Sequence, residues 1–113
     1  MEFSIPHVGI NAKNKEQALE YVDILGKIFG ISQTSENPKG IFCGTQFEIM
    51  KGEGRGTNGH IAIQVDSVPK AMEELASRGI HFIKATEKYA EDGHINFVYF
   101  EEELCGFAFH LTE

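Results

Sequence analysis

The chain has 113 residues, 42% hydrophobic and 24% charged, enough for one hydrophobic core and too few for two independent domains of ordinary size. A formal net charge of −7 at pH 7, with the basic residues scattered, argues against nucleic-acid or anionic-membrane partners, because phosphate affinity comes from clustered Lys and Arg. Met1-Glu2-Phe3-Ser4-Ile5-Pro6 lacks a basic stretch followed by an apolar run, and no segment approaches the roughly 18 apolar residues of a membrane span, so a cytoplasmic location is expected.

In chain order, Ile5 to Ala12 reads as a strand with Val8 and Ile10 on one side and His7, Gly9 and Asn11 on the other. A helix follows. Asn14 can cap it, Gln17 stands where a capping-box partner belongs, Ala18, Tyr21, Val22, Leu25, Ile28 and Phe29 recur at helical spacing, and Gly30 ends it. Short extended pieces come next, at Ser32 to Ser35, Ile41 to Cys43 and Gln46 to Met50, separated by Asn37-Pro38-Lys39-Gly40 and by Gly44.

The glycine-rich run from Gly52 to Gly59 then divides the chain, giving a β-α-β-β-β module of about residues 1–52, a linker of about 53–58 and a second module of about 59–113. The second module opens with a strand from Gly59 to Asp66. A helix capped by Ser67 carries Pro69 in its first turn, turns Val68, Ala71, Met72 and Leu75 inward, and stops at Gly79. Strands are expected at Ile80 to Thr86, His94 to Phe100 and Phe107 to Thr112, with the extra length of this half around Lys88 to Gly93.

Two echoes support a duplication. Cys43-Gly44-Thr45-Gln46-Phe47-Glu48-Ile49 is matched by Cys105-Gly106-Phe107-Ala108-Phe109-His110-Leu111, and His7-Val8-Gly9-Ile10-Asn11 by His60-Ile61-Ala62-Ile63-Gln64. Both cysteines are expected to be free, mostly buried thiols in equivalent turns, since nothing directs the chain to an oxidising compartment.

Strand alternation puts His7, Glu48, His60 and His110 opposite the apolar residues that would lie under the helices. Their shared face also carries Gly9, Asn11, Gln46, Ala62, Gln64 and Ala108, a small and polar set that reads as a pocket lining. Three imidazoles and a carboxylate suit a divalent transition metal such as Zn, Ni, Mn, Co or Fe. The competing reading is a water-filled cup lined with histidine that holds no metal. His81 and His94 read as surface histidines.

These residues resemble the vicinal oxygen chelate superfamily, which includes glyoxalase I, bleomycin-resistance proteins and extradiol dioxygenases. The resemblance covers the whole chain and rests on Pro6-His7-Val8-Gly9-Ile10, Phe47-Glu48-Ile49, Gly59-His60-Ile61-Ala62-Ile63 and Gly106-Phe107-Ala108-Phe109-His110-Leu111. The chain is also similar to the small domain of that superfamily attached to some bacterial aldolases acting on 2-keto-3-deoxy-phosphogluconate. The resemblance implies an α+β fold in which two βαβββ modules form a cup-shaped mixed sheet with helices outside. His7, Glu48, His60 and His110 fall on the metal-ligand positions, but family enzymes typically have Glu where this chain has His110. The implied function is that of a metal-dependent enzyme acting on a small substrate with vicinal oxygens, with Glu48 as the catalytic base. The alternative is a non-catalytic binding or antibiotic-sequestering module, for which Arg55, Tyr89 and Tyr99 are further candidate contacts. A homodimer is expected, with the cup closed either within one chain or by modules exchanged between two.

Overall fold

In the computed structural model, which describes residues 1–113, the chain forms an open, eight-stranded mixed sheet and two helices. The first half consists of β1 (Val8–Asn11), α1 (Lys15–Phe29), β2 (Thr34–Glu36), β3 (Gly40–Cys43) and β4 (Phe47–Met50). The second comprises β5 (Gly59–Gln64), α2 (Val68–Ala76), β6 (Lys88–Tyr89), β7 (Ile95–Tyr99) and β8 (Phe107–Thr112). The strand order β2-β3-β4-β1-β5-β8-β7-β6 gives an α+β cup in which each half follows the same path.

Register carries the repeat into space around the centre of the sheet. Val8 faces Ile61 across the antiparallel β1–β5 junction, and these two residues occupy the same place in their own halves, so a pseudo-twofold axis passes between them. On either side, β1 runs parallel to β4 with Gly9 beside Glu48, and β5 runs parallel to β8 with Ala62 beside His110. Phe42 faces Glu48 in the first half as Tyr99 faces His110 in the second.

The helices form where the sequence supplies caps. Asn14 Oδ1 accepts from the Gln17 amide at 2.8 Å while Gln17 Oε1 accepts from the Lys13 amide at 2.9 Å, and Gly30 closes α1 in the left-handed conformation at φ 69°. Ser67 caps α2, whose first amide, that of Val68, also donates to the Glu113 carboxylate at 2.9 Å. Each helix covers its own half-sheet: Ala18 packs with Ile41 and Ile49, and Val68 and Ala71 pack with Ile63, Val98 and Leu111. The apolar strand positions are thereby drawn beneath the helices, and the alternate positions are left to the opposite, concave face.

Three expectations need correction. Ile80 to Thr86 is not a strand: Phe82 makes a single bridge to Phe100, and Lys84–Thr86 form one 3₁₀ turn. There Thr86 Oγ1 donates to the Ile83 carbonyl and accepts from the Tyr99 amide, so a side chain takes the place of a ladder partner. The extra length of the second half is also not confined to Lys88–Gly93, because Glu48 follows Phe42 by 6 residues whereas His110 follows Tyr99 by 11. Part of the insertion therefore forms the β7–β8 connection, through Glu101 to Leu104.

That connection also separates the two cysteines. Cys43 ends β3, buried and paired with Phe47, whereas Cys105 is exposed in a two-residue turn closed by reciprocal Leu104–Phe107 hydrogen bonds. Both turn residues have positive φ, 55° at Cys105 and 85° at Gly106, the signature of a type I′ hairpin. The Cys-Gly echo is thus one of sequence, not of equivalent buried turns.

Candidate metal centre in the cup

The concave face brings His7, Glu48, His60 and His110 together within one chain. His7 enters just ahead of β1, Glu48 lies on β4, His60 on β5 and His110 on β8. Nε2 of His60 is 3.3 Å from Nε2 of His7 and 3.0 Å from Oε1 of Glu48, while His7 Nε2 is 3.9 Å from that oxygen. Each of the three imidazoles offers a ring nitrogen within 4.8 Å of those of the other two. The site straddles the pseudo-twofold axis, with two candidate ligands from each half.

No family model matches the sequence, and neither does any curated protein. Solved structures do. A methylmalonyl-CoA epimerase superposes with a TM-score of 0.59 at 17% identity, over 96% of this chain and 92% of that one. The Streptomyces coelicolor methylmalonyl-CoA epimerase in complex with 2-nitronate-propionyl-CoA gives 0.59 at 14% identity, over 95% and 94%. A hypothetical protein from Bacillus halodurans C-125 gives 0.57 at 15% identity, over 98% and 94%. The chain has the vicinal oxygen chelate fold. At such identities what these proteins share is the architecture, so the chemistry has to be argued from this chain's own side chains.

In this cup His7, His60 and His110 are placed so that they could hold a metal ion. Ligands held at about 2.0–2.2 Å lie about 2.8–3.6 Å apart around an octahedral or tetrahedral ion, a range that includes the two shortest separations here. Without a cation, Nε2 of His60 sits between two lone-pair bearers with at most one proton to offer. Burial, then the neighbouring His60, lowers the pKa of His7, and burial pushes that of His110 down to about 3. Both rings are therefore neutral at pH 7, the form that ligates. The hydrogen bond from His60 holds the Glu48 carboxyl below its usual range, keeping it ionised.

Packing, more than hydrogen bonding, orients these rings. The buried Nδ1 atoms of His60 and His110 have no hydrogen-bond partner, where metal-ligating histidines usually have one. Instead Gly9 leaves room for His60: a Cβ there would overlap its Cε1 and Nδ1. His110 lies against Phe97 at 4.5 Å and Tyr99 at 5.0 Å between ring centroids, and Phe42 stands edge-on to His7 at 5.6 Å.

Of those three aromatics the sequence had pointed only to Tyr99, as a candidate ligand contact; Phe42 and Phe97 were missed. All three line a cup of about 560 Å³ together with Met50 and Thr112, whereas Gln46 and Gln64 are exposed and Gln64 bonds Ser4 and the Glu113 carbonyl outside it. Phe42 and Tyr99 are equivalent neighbours of Glu48 and His110 in the sheet, but their unequal spacing, 6 residues against 11, hides this in the sequence. Burial drives the Tyr99 phenol up to about 12, so it is a neutral hydroxyl at the wall of the cup. Neither cysteine joins the imidazole cluster, and His81 and His94 pair with surface carboxylates elsewhere. Arg55 lies over Tyr99, whereas Tyr89 bonds Glu87 and does not line the cup. No helix is long and apolar enough to cross a membrane.

Proposed function

We propose that the protein is a metal-dependent enzyme of glyoxalase type that moves a proton on a carbon next to a carbonyl in a small substrate with neighbouring oxygens. The observation that carries this reading is the convergence of His7, His60 and His110, with ring nitrogens within 4.8 Å of one another, on Glu48, 3.0 Å from His60. Named epimerases among the structural neighbours support it, because inverting a stereocentre beside a carbonyl calls for such a proton transfer. A metal held by His7, Glu48, His60 and His110 would polarise the substrate oxygens and stabilise negative charge on them.

The chain's own groups do the rest. Glu48, ionised, takes the proton onto a carboxylate oxygen while the electrons of the broken C–H bond remain on the substrate, and it returns the proton to complete the isomerisation. Phe42, Phe97 and Tyr99 screen the reacting end from water. Metal analysis of untagged protein should give about one ion per chain, and His60→Ala should abolish it. Solvent-deuterium exchange into a 2-oxo acid, followed by NMR, should then require both the ion and Glu48. Full metal content in the His60→Ala variant, or undiminished exchange with Glu48→Gln, would sink the proposal.

A second reading is favoured by the inequality of the two halves. With His110 where the repeat would place another carboxylate, the imidazole cluster has a single carboxylate beside it, which suits a module that binds its ligand without turnover. Ligand-dependent thermal stabilisation in the absence of any deuterium exchange would support it. We also propose a homodimer in which each chain keeps its own four ligands. Mixing His7→Ala with His110→Ala protein should then restore no metal binding, whereas exchanged modules would restore it.

A further inference from the structure

Although the whole molecule carries a net charge of −7, three cationic side chains line the cup: Lys39, Arg55 and Lys88. The chain's Lys/Arg ion pairs are made by Lys15, Lys27, Lys51 and Arg78, so none of the three is neutralised by a carboxylate. The two cup-lining carboxylates are engaged elsewhere, Glu48 with His60 and Glu87 with the Tyr89 hydroxyl at 2.9 Å.

Two of these cations are placed by aromatic rings. Arg55, from the glycine-rich connection, lies 4.7 Å from the centre of the Tyr99 ring, and Lys88 lies 4.4 Å from that of Phe97. Phe97 and Tyr99 are alternate residues of β7, so they share the concave face, and both rings pack on His110. The connection itself is tethered, since Asn11 Nδ2 donates to the Gly56 carbonyl at 2.8 Å. Two unpaired cations therefore stand over one aromatic shelf at the second-half wall of the cup. Lys39 stands on the β2–β3 turn of the other half.

We propose that this shelf is the anchor for an anionic group, a carboxylate or a phosphate, and that the substrate is an anionic 2-oxo compound whose charged end is held by Arg55 and Lys88 while its carbonyl end reaches His7, Glu48, His60 and His110. Arg55 supplies a planar fork of N–H donors, and Lys88 supplies a compact charge. Stacking limits the freedom of both before the ligand arrives, so less entropy is lost on binding. This inference deepens the reading above, since it takes the same cup as the substrate site.

The test uses pyruvate, its uncharged analogue pyruvamide and inorganic phosphate, each titrated by NMR into the full-length, metal-analysed protein. Pyruvate should bind at least about tenfold more tightly than pyruvamide, phosphate should compete with it, and added salt should weaken it. Arg55→Gln and Lys88→Gln should each weaken pyruvate about three- to tenfold while leaving pyruvamide affinity and metal content unchanged. Equal affinity for pyruvate and pyruvamide, unaltered pyruvate binding in both variants, or no binding of either anion would overturn the inference. A drop in metal content with His60→Ala alongside unaltered anion binding in both rim variants would remove the anchor and leave the metal centre standing. The opposite pair of results would remove the metal centre and keep the anchor.

Discussion

The two halves of the molecule share a path and a register but not a chemistry. Around Glu48 the first half presents Gly40 and Phe42; around His110 the second presents Phe97 and Tyr99 at the corresponding positions. The first half therefore contributes the carboxylate on an open wall, and the second an imidazole pressed between two rings. Apolar positions beneath the helices are matched closely, Ile49 by Leu111, because each helix requires the same kind of surface from its strands. The concave positions are free of that requirement, and there the halves have diverged.

The most forceful test of this comparison is at the matched positions. Ile49 and Leu111 are both fully buried, each under its own helix. Ile49→Ala and Leu111→Ala should each destabilise by about 2–5 kcal/mol through lost burial and a residual cavity. Urea unfolding of the two variants measures this. If the halves share one cooperative core, both will show a single transition of unchanged slope. A second transition in either would show that the halves unfold separately.

The difference between matched and diverged positions also explains what could be read in the sequence. Helix α1 was legible because Asn14, Gln17 and Gly30 act through local hydrogen bonds and backbone conformation. The facing of Glu48 and His110 was legible because alternation with Phe47, Ile49, Phe109 and Leu111 is clean. Phe42 and Phe97 were not, because Ile41-Phe42-Cys43 and Phe97-Val98-Tyr99 are apolar throughout and do not say which side faces the cup; Tyr99 stood out only through its hydroxyl. Ile80 to Thr86 was misread for a related reason. Its apolar residues serve packing, while Thr86 supplies through its hydroxyl the hydrogen bond a strand would have supplied through its backbone.

A subtler test concerns positions equivalent in register but unequal in crowding. Ala62 carries its Cβ without difficulty, buried beside His110 in the ladder, whereas the equivalent Gly9 lies where a Cβ would enter the His60 ring. Gly9→Ala makes the halves more alike in sequence while displacing one proposed ligand. It should weaken metal binding by about 10–100-fold, the range for losing a group that orients a ligand, while thermal stability in the presence of chelator changes much less. Competition with a chelating dye measures the affinity. Unchanged affinity would mean that His60 does not hold the ion in the orientation described.

The hairpin turns differ more modestly. Gly44 takes the positive φ of the first-half turn, but Cys105, with a Cβ, takes φ 55° in the second. A side chain other than Asn, Asp or Gly is disfavoured there, so Cys105→Asn should stabilise by about 0.5–1 kcal/mol and also remove the exposed thiol. Thermal unfolding under reducing conditions would check it. A lower midpoint would show that Cys105 makes a compensating contact.

The smallest effect distinguishes the two β-hairpins by pH. In the first half the β2–β3 turn is closed by Asn37, whose Oδ1 accepts from the amides of Lys39 and Gly40 at 2.9 Å, and an amide does not titrate. In the second, His94 lies between Asp92, bonded to its Nδ1, and Glu113, bonded to its Nε2 at 2.8 Å; Glu113 in turn accepts from the first amide of α2. The Glu113 and then the Asp92 bonds raise the pKa of His94 above its usual 6.5. Because the folded value is the higher one, the folded state binds the proton more readily. The contribution is therefore full below about pH 6.5 and is lost as pH rises through the folded pKa. The pair is exposed, so the effect is small and sensitive to salt. Thermal midpoints of the native protein and of His94→Gln should differ most at pH 5.5 to 6 and converge above pH 8. Replacing Asn37 with Ala should lower stability by the same amount at both ends of that range. A difference for His94→Gln that grows with pH would reverse the sign and place the favourable interaction on the neutral ring.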